Sequence, residues 1–264
     1  LFGTAVHTFA EHMSIILAEG GDFIMAFNDV MSIVQTEYEK AGGTDTSLLM
    51  RACLAFESKA TDLPALYKEN NKWMVEKWFE IPTGIEHPDY EVFFCGTLDR
   101  LGFSEGRIKA CDYKTSRKYN QEVVLNSYEV STQMIFYYLM LQKYPEYFSS
   151  NPEFIAAAQA NKIDFYIVPI FLAVKKESAP VWRISPPIRF TKAQLEHYET
   201  LVRAYLESVI DIHIAKHGMQ NGWVSDLCAS CTFMPLCHAE SSEVKDIILK
   251  SQFISKPYDP KRYV

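Results

Sequence analysis

The sequence predicts an α/β fold: a mixed sheet flanked by helices, with helical additions and a Cys-rich loop near the C-terminus. Three observations carry this expectation. Two strand-like runs, residues 93–101 and 108–115, stand on either side of a turn at Gly106, the pattern of a hairpin. Residues 162–176 form a nearly continuous apolar, β-forming run, the pattern of a central strand. Between the hairpin and that run lies a helical stretch, about residues 127–143, which stops before Pro145. Strand pairing across this helix makes a mixed sheet.

The remaining elements follow in order. Residues 4–19 have helical periodicity and end at Gly20-Gly21, a helix stop. Two further helices are expected around 23–40 and 45–60. Residues 73–81 alternate and read as a strand, with turn chemistry at Pro82-Thr83-Gly84. After the central run, residues 182–190 read as another strand and 191 to about 216 as a long helix. A last element is expected over 242–250. There is no internal repeat and no low-complexity linker, so a single domain over 1–264 is expected. Its core would span about 1–190, with the C-terminal helix and a cysteine cluster over about 191–264.

The chain has 264 residues, 48% of them hydrophobic, and a formal net charge of −7. That charge argues against a protein that coats nucleic acid non-specifically. No apolar run reaches the length of a membrane span. Of the six cysteines, Cys53, Cys95 and Cys111 stand singly in apolar segments and read as small core residues. Scattered thiols make no disulfide framework, which favours a reducing, cytoplasmic compartment.

The chemistry is concentrated in the hairpin. Paired as strands, the two runs let Asp99 and Asp112 hold one divalent cation by hard oxygen ligands. Alternation puts Asp112 and Lys114 on one face of their strand and turns Tyr113 away. Lys114 would then orient or deprotonate a water attacking a phosphate. An Asp-x-Lys or Glu-x-Lys triplet alone says little, since Glu57-Ser58-Lys59, Glu243-Val244-Lys245 and Asp259-Pro260-Lys261 also occur. None of those follows a strand carrying Gly-x-x-Asp.

Two other features fit this site. His7 lies on the apolar side of the first helix and is a candidate metal ligand. Gln133 and Tyr137, at i and i+4, share a helix face from which an amide and a phenol can reach a phosphate or a base. Arg100, Arg107, Lys109, Lys114, Arg117 and Lys118 form a basic group suited to a phosphate backbone. Farther on, Cys228, Cys231 and Cys237 have the spacing C-x2-C-x5-C. Thiolates so spaced suit a tetrahedral soft-metal site or an iron–sulfur cluster.

The ordered set Gly3-Thr-Ala-Val-His7, Gly96-Thr-Leu-Asp99, Asp112-Tyr-Lys114 and Gln133-x-x-x-Tyr137 resembles the RecB and AddB-like exonuclease branch of the PD-(D/E)XK nuclease superfamily. The resemblance implies a restriction-endonuclease-like core. It implies that His7, Asp99, Asp112 and the main-chain carbonyl of Tyr113 ligate Mg²⁺ or Mn²⁺, that Lys114 positions the water, and that Gln133 and Tyr137 hold DNA. Glu76 resembles an acidic position of the same branch; as a residue it reads better as a plain strand-edge carboxylate.

In that branch, three cysteines spaced like Cys228, Cys231 and Cys237 ligate a [4Fe–4S] cluster, with the fourth ligand ahead of the Gly-x-x-x-His helix. The sequence given begins two residues before Gly3. The fourth ligand therefore lies upstream, or His238 or Cys53 replaces it, or the site is empty or holds zinc. The implied activity is a metal-dependent DNA exonuclease on single-stranded or end-bearing DNA, in recombination, repair or phage-type DNA processing. No G-x-x-x-x-G-K-[ST] motif occurs, so unwinding would fall to a helicase or recombination partner. The alternative is a non-catalytic DNA-binding or assembly module on the same fold.

Overall fold

In the computed structural model, the described residues are 1–86, 91–117, 121–129, 131–172 and 179–214. Residues 1–196 form one compact unit, and 197–264 a second.

Helices α1 (Phe2–Ala18), α2 (Phe23–Lys40), α3 (Thr46–Leu54) and the single turn α4 (Glu57–Ala60) open the chain. Asp22 and Asp45 start α2 and α3 by accepting from the main-chain N–H groups of Met25 and Leu48, each satisfying an amide that the helix leaves free. Strands β1 (Lys68–Glu69) and β2 (Lys72–Trp73) form a small hairpin of their own. Its turn is Asn70-Asn71, both with positive φ, as a two-residue turn demands.

Strands β3 (Val75–Pro82), β4 (Phe93–Ser104), β5 (Arg107–Ser116), β6 (Ile163–Phe171) and β7 (Val181–Trp182) make one five-stranded mixed sheet in chain order. The β4–β5 pair is the expected hairpin, antiparallel, with Arg100 opposite Cys111 and Ser104 opposite Arg107. Glu105 and Gly106 turn it, at φ of 55° and 65°. Strand β6 runs parallel to β5, with Asp112 beside Ile167 and Lys114 beside Pro169. The crossover between them carries α5 (Gln121–Glu129), α6 (Thr132–Lys143), a 3-10 turn (Pro145–Tyr147) and α7 (Pro152–Gln159). Helix α8 (Lys192–Ile214) follows the sheet.

Two expectations need correction. The stretch read as one helix over 127–143 is the end of α5 and all of α6, broken where Ser131 takes an extended backbone. Ser131 and Thr132 are weak helix formers, and the break falls beside them. The strand read over 182–190 keeps only β7. Pro186 and Pro187 have no N–H to give a ladder, and the Ser185 hydroxyl accepts the Ile167 amide there instead. Thereafter only an isolated bridge joins Ile188 to Phe165.

The sheet is covered on both faces. On one, α1, α2 and α3 bury Val6, Phe9, Met13, Leu49 and Cys53 against Cys111, Tyr113, Val168 and Trp182. On the other, Tyr137 of α6 lies by Phe79 and Phe165, and Phe148 by Phe79. Cys53 and Cys111 are fully buried, as core residues should be. Cys95 is only half-buried. Among the described residues, no helix is long and apolar enough to cross a membrane.

Candidate metal centre

Strands β4 and β5 part at Asp99. Their ladder stops at Arg100 and Cys111, and the Asp99 carboxylate takes the place of a strand partner by accepting the Tyr113 N–H at 2.6 Å. Asp99 is thereby fixed at the end of the hairpin, beside Asp112 on the next strand. Across β4, the ladder with β3 also skips a place: Val75 pairs with Arg100 and Lys77 with Leu98. Glu76 fills that gap with φ of 44°. A non-glycine residue held there costs on the order of 1–3 kcal/mol. The register on either side of the gap places it opposite Asp99.

Helix α1 brings the third group. His7 Nδ1 lies 3.6 Å from Asp99 Oδ2, and its ring meets that of Tyr113 edge-on, with centroids 5.8 Å apart. One ligand atom each from His7, Glu76 and Asp99 falls within 4.8 Å of the others. Glu11, one turn after His7 on the same face of α1, adds its charge to those of Asp99 and Glu76.

The electrostatics are those of an anionic site short of positive charge. Burial, and then the charges of Asp99, Glu11 and Asp112, push Glu76 up to about 8. Burial raises Asp99, against the pull of its bond from the Tyr113 N–H. Burial also raises Asp112, with Asp99 beside it adding to the effect. Burial lowers His7 to about 4, so at neutral pH its imidazole is uncharged and has a lone pair to give. A divalent cation among His7, Glu76 and Asp99 would offset the carboxylate charge that burial penalises there, while Asp112 stands outside that group and faces Lys114. Two carboxylates and a neutral imidazole are a donor set that fits Mg²⁺ or Mn²⁺.

Lys114 stands over Asp112, with Nζ 2.6 Å from Oδ2. That oxygen is buried and receives no well-aligned hydrogen bond. Burial works against the Lys114 charge, but the carboxylate of Asp112 outweighs it and raises the lysine. It is held as an ammonium group, able to orient water and offset phosphate charge. Tyr113 points to the opposite face and is buried, as alternation required.

Gln133 Nε2 donates to the Tyr137 hydroxyl at 3.1 Å, and Tyr137 feels the charges of Asp112, Asp99 and Lys114. Gly96 makes room for it. A Cβ at Gly96 would sit 2.8 Å from Tyr137 Cε1 and 2.7 Å from Phe79 Cζ, so the first residue of Gly-x-x-Asp must lack one. At Gly3 the fit is looser: a Cβ would lie 3.1 Å from Thr115 Oγ1, which a small shift of that side chain relieves. That close approach seats the start of α1 on the end of β5. Tyr128 of α5 also stands within the electrostatic reach of Lys114 and Asp112; nothing in its sequence spacing singled it out.

The basic group disperses. Arg100 is buried and holds Ser14 and the Pro64 carbonyl, so it fastens α1 and the α4–β1 connection to β4 and is closed to a phosphate. Arg107 is committed to Asp164, at 2.7 and 2.8 Å, and Lys109 lies 3.5 Å from Glu105. Arg117 is exposed at the end of β5. Lys118, Cys228, Cys231, Cys237 and His238 lie outside the described residues, as does the element expected over 242–250. Cys53 sits in the helical core, where burial holds its thiol well above the ordinary range.

The model of the PD-(D/E)XK nuclease superfamily matches residues 1–238. No curated protein matches the chain. Among solved structures, the chain is similar to the one described as "Crystal structure of SSO0001", at 16% identity over 80% of this chain and 82% of that one, with a TM-score of 0.29. A likeness that distant carries no argument.

Proposed function

The chain belongs to the PD-(D/E)XK nuclease superfamily, and we propose that it is a Mg²⁺- or Mn²⁺-dependent deoxyribonuclease, an exonuclease of the RecB and AddB-like branch. Its substrate would be single-stranded or end-bearing DNA, in recombination, repair or phage-type DNA processing, alongside a separate helicase or recombination partner. The observation that supports this reading best is the convergence of His7, Glu76 and Asp99 next to the Asp112–Lys114 pair.

In this reading His7, Asp99, Asp112 and the Tyr113 carbonyl hold the cation, with Glu76 as a further carboxylate. When bound, the ion makes a water nucleophilic near neutral pH and offsets charge on the phosphate. Lys114 Nζ keeps its proton, aims the water at phosphorus and hydrogen-bonds a non-bridging oxygen. Asp112 fixes that ammonium in place. The attacking water gives up a proton to bulk solvent as the new P–O bond forms, the bond to the sugar oxygen breaks, and that oxygen leaves with a proton taken from solvent. The Gln133–Tyr137 pair flanks the lysine and holds the DNA backbone, with Arg117 and Lys118 following the strand beyond β5.

The test is cleavage of linear and circular DNA, single- and double-stranded, with Mn²⁺, with EDTA, and with Asp112→Asn. Metal-dependent loss of linear substrate, with circles spared, supports an exonuclease. Cleavage of circles makes it an endonuclease. DNA binding with no cleavage in any condition supports the non-catalytic module instead. The spacing of Cys228, Cys231 and Cys237 supports a [4Fe–4S] cluster or zinc site in the tail. Visible absorbance with bound iron, or colourless protein with stoichiometric zinc, distinguishes the two, and metal-free protein removes both.

A further inference from the structure

The β3–β4 hairpin has two faces, and alternation separates its residues between them. Phe79, Ile81, Phe94 and Leu98 are buried, and Phe79 meets Phe136, Tyr137 and Phe148 on the α6 side. Side chains of the other parity point the opposite way: Trp78 opposite Thr97, and Glu80 opposite Cys95. None of these four is buried. None belongs to the core that α1, α2 and α3 build on the sheet. On this strip of sheet, Trp78, Thr97 and Cys95 are half-buried, and Glu80 is exposed.

Trp78 is the side chain on that strip with no structural occupation. Trp73 donates its indole N–H to Glu19 at 2.9 Å, and Trp182 donates to the Ala52 carbonyl at 2.9 Å. Trp78 has no such bond and no ring partner among the described residues, and it is only half-buried. Its position is specific. Glu76 stands two residues along β3, and Asp99 two residues beyond Thr97 on β4. At a strand's rise, the indole is about 7 Å along from the carboxylates.

We propose that Trp78 is a stacking platform for one unpaired base beside the scissile phosphate, and that it gives the enzyme a preference for single strands and frayed ends. The proposal rests on the nuclease reading above. A phosphate held at His7, Glu76 and Asp99 puts a neighbouring nucleotide over β3, where a flat apolar ring is what a base can use. Stacking is tolerant of sequence, since every base has a π-face. It is denied to a base still inside a duplex, whose faces are taken by its neighbours. Glu80, exposed one pair farther along the hairpin, would repel a following phosphate, so the contact is confined to one base.

Steady-state cleavage of a single-stranded oligonucleotide and of the matching blunt duplex, with Mn²⁺, tests this in the wild type, Trp78→Ala and Trp78→Phe. Trp78→Ala should raise KM on the single strand about tenfold, within the range alanine substitution gives for base stacking. It should leave kcat within about twofold and narrow the preference over duplex, while Trp78→Phe should recover most of the loss. An unchanged KM in Trp78→Ala, or an equal loss on both substrates, overturns the proposal. A second readout needs no turnover: with Ca²⁺ in place of Mn²⁺, the oligonucleotide should quench wild-type indole fluorescence, and Trp78→Phe should lose that quench. Persistence of the quench in Trp78→Phe also overturns it. If the wild type cleaves no DNA, the nuclease reading fails, and the fluorescence arm still decides the role of Trp78.

Discussion

Lys114 decides what kind of chemistry this site can do. Its ammonium is held by Asp112 at 2.6 Å and raised by that carboxylate, so it serves as a donor to water and phosphate. Lys114→Ala and Asp112→Asn should each lower kcat on DNA by on the order of 10²–10⁴, the scale of a lost acid–base group, with circular dichroism unchanged. Glu76→Gln makes a separate prediction. It removes one of three convergent ligands, so the affinity for Mn²⁺ measured by titration calorimetry should fall at least about tenfold, the scale on which even outer groups of a metal site act. The motif spacing already pointed to Asp99, Asp112 and Lys114, because strand alternation is a local rule. Glu76 was less legible. Reading it as a strand-edge carboxylate left out its neighbour across the ladder, since the Val75–Arg100 and Lys77–Leu98 pairs bracket Glu76 and Asp99. The signal available was its place opposite Asp99, and that needs the strand register.

Elements are placed by close contacts that small residues permit. Gly96 lies under the rings of Tyr137 and Phe79, so Gly96→Ala should force one of them aside. Overpacking of that kind costs about 1–3 kcal/mol, read as a lower urea midpoint with unchanged slope. It should also lower cleavage, since Tyr137 is displaced from Lys114. Gly3→Ala, with only the Thr115 hydroxyl in the way, should cost less. The helices α1 and α2, the β4–β5 hairpin and the central strand were readable because periodicity, turn residues and apolar runs are written locally. Helix α7 was missed, although Asn151 caps it with Pro152 in its first turn, a recognised start signal. The residues 182–190 looked strand-like by composition, but composition does not show that Pro186 and Pro187 withhold the amides a ladder needs. Arg100 looked free for phosphate because burial is not visible in a charge count.

The whole unit carries more buried acids than Lys114 alone can balance, and its stability should show it. Folding raises the carboxyls of Asp99 and Asp112 and brings Glu76 to about 8. The folded state thus binds more protons than the unfolded chain as pH rises from the carboxylate range to about 8. Their contribution to stability therefore falls across that window. His7, lowered to about 4, acts the other way, but only below its ordinary 6.5. From about pH 6.5 to 8 the cation-free protein should lose thermal stability, and the Tm gain from Mg²⁺ should be larger at pH 8 than at pH 5. Equal gains at both would show that the ion does not replace those protons. The most direct measurement of the central claim is anomalous diffraction from crystals grown with Mn²⁺. The account predicts a manganese peak bounded by His7, Glu76, Asp99 and Asp112, with Lys114 beside it. Crystals that diffract well and bind Mn²⁺ only elsewhere, or not at all, would contradict it.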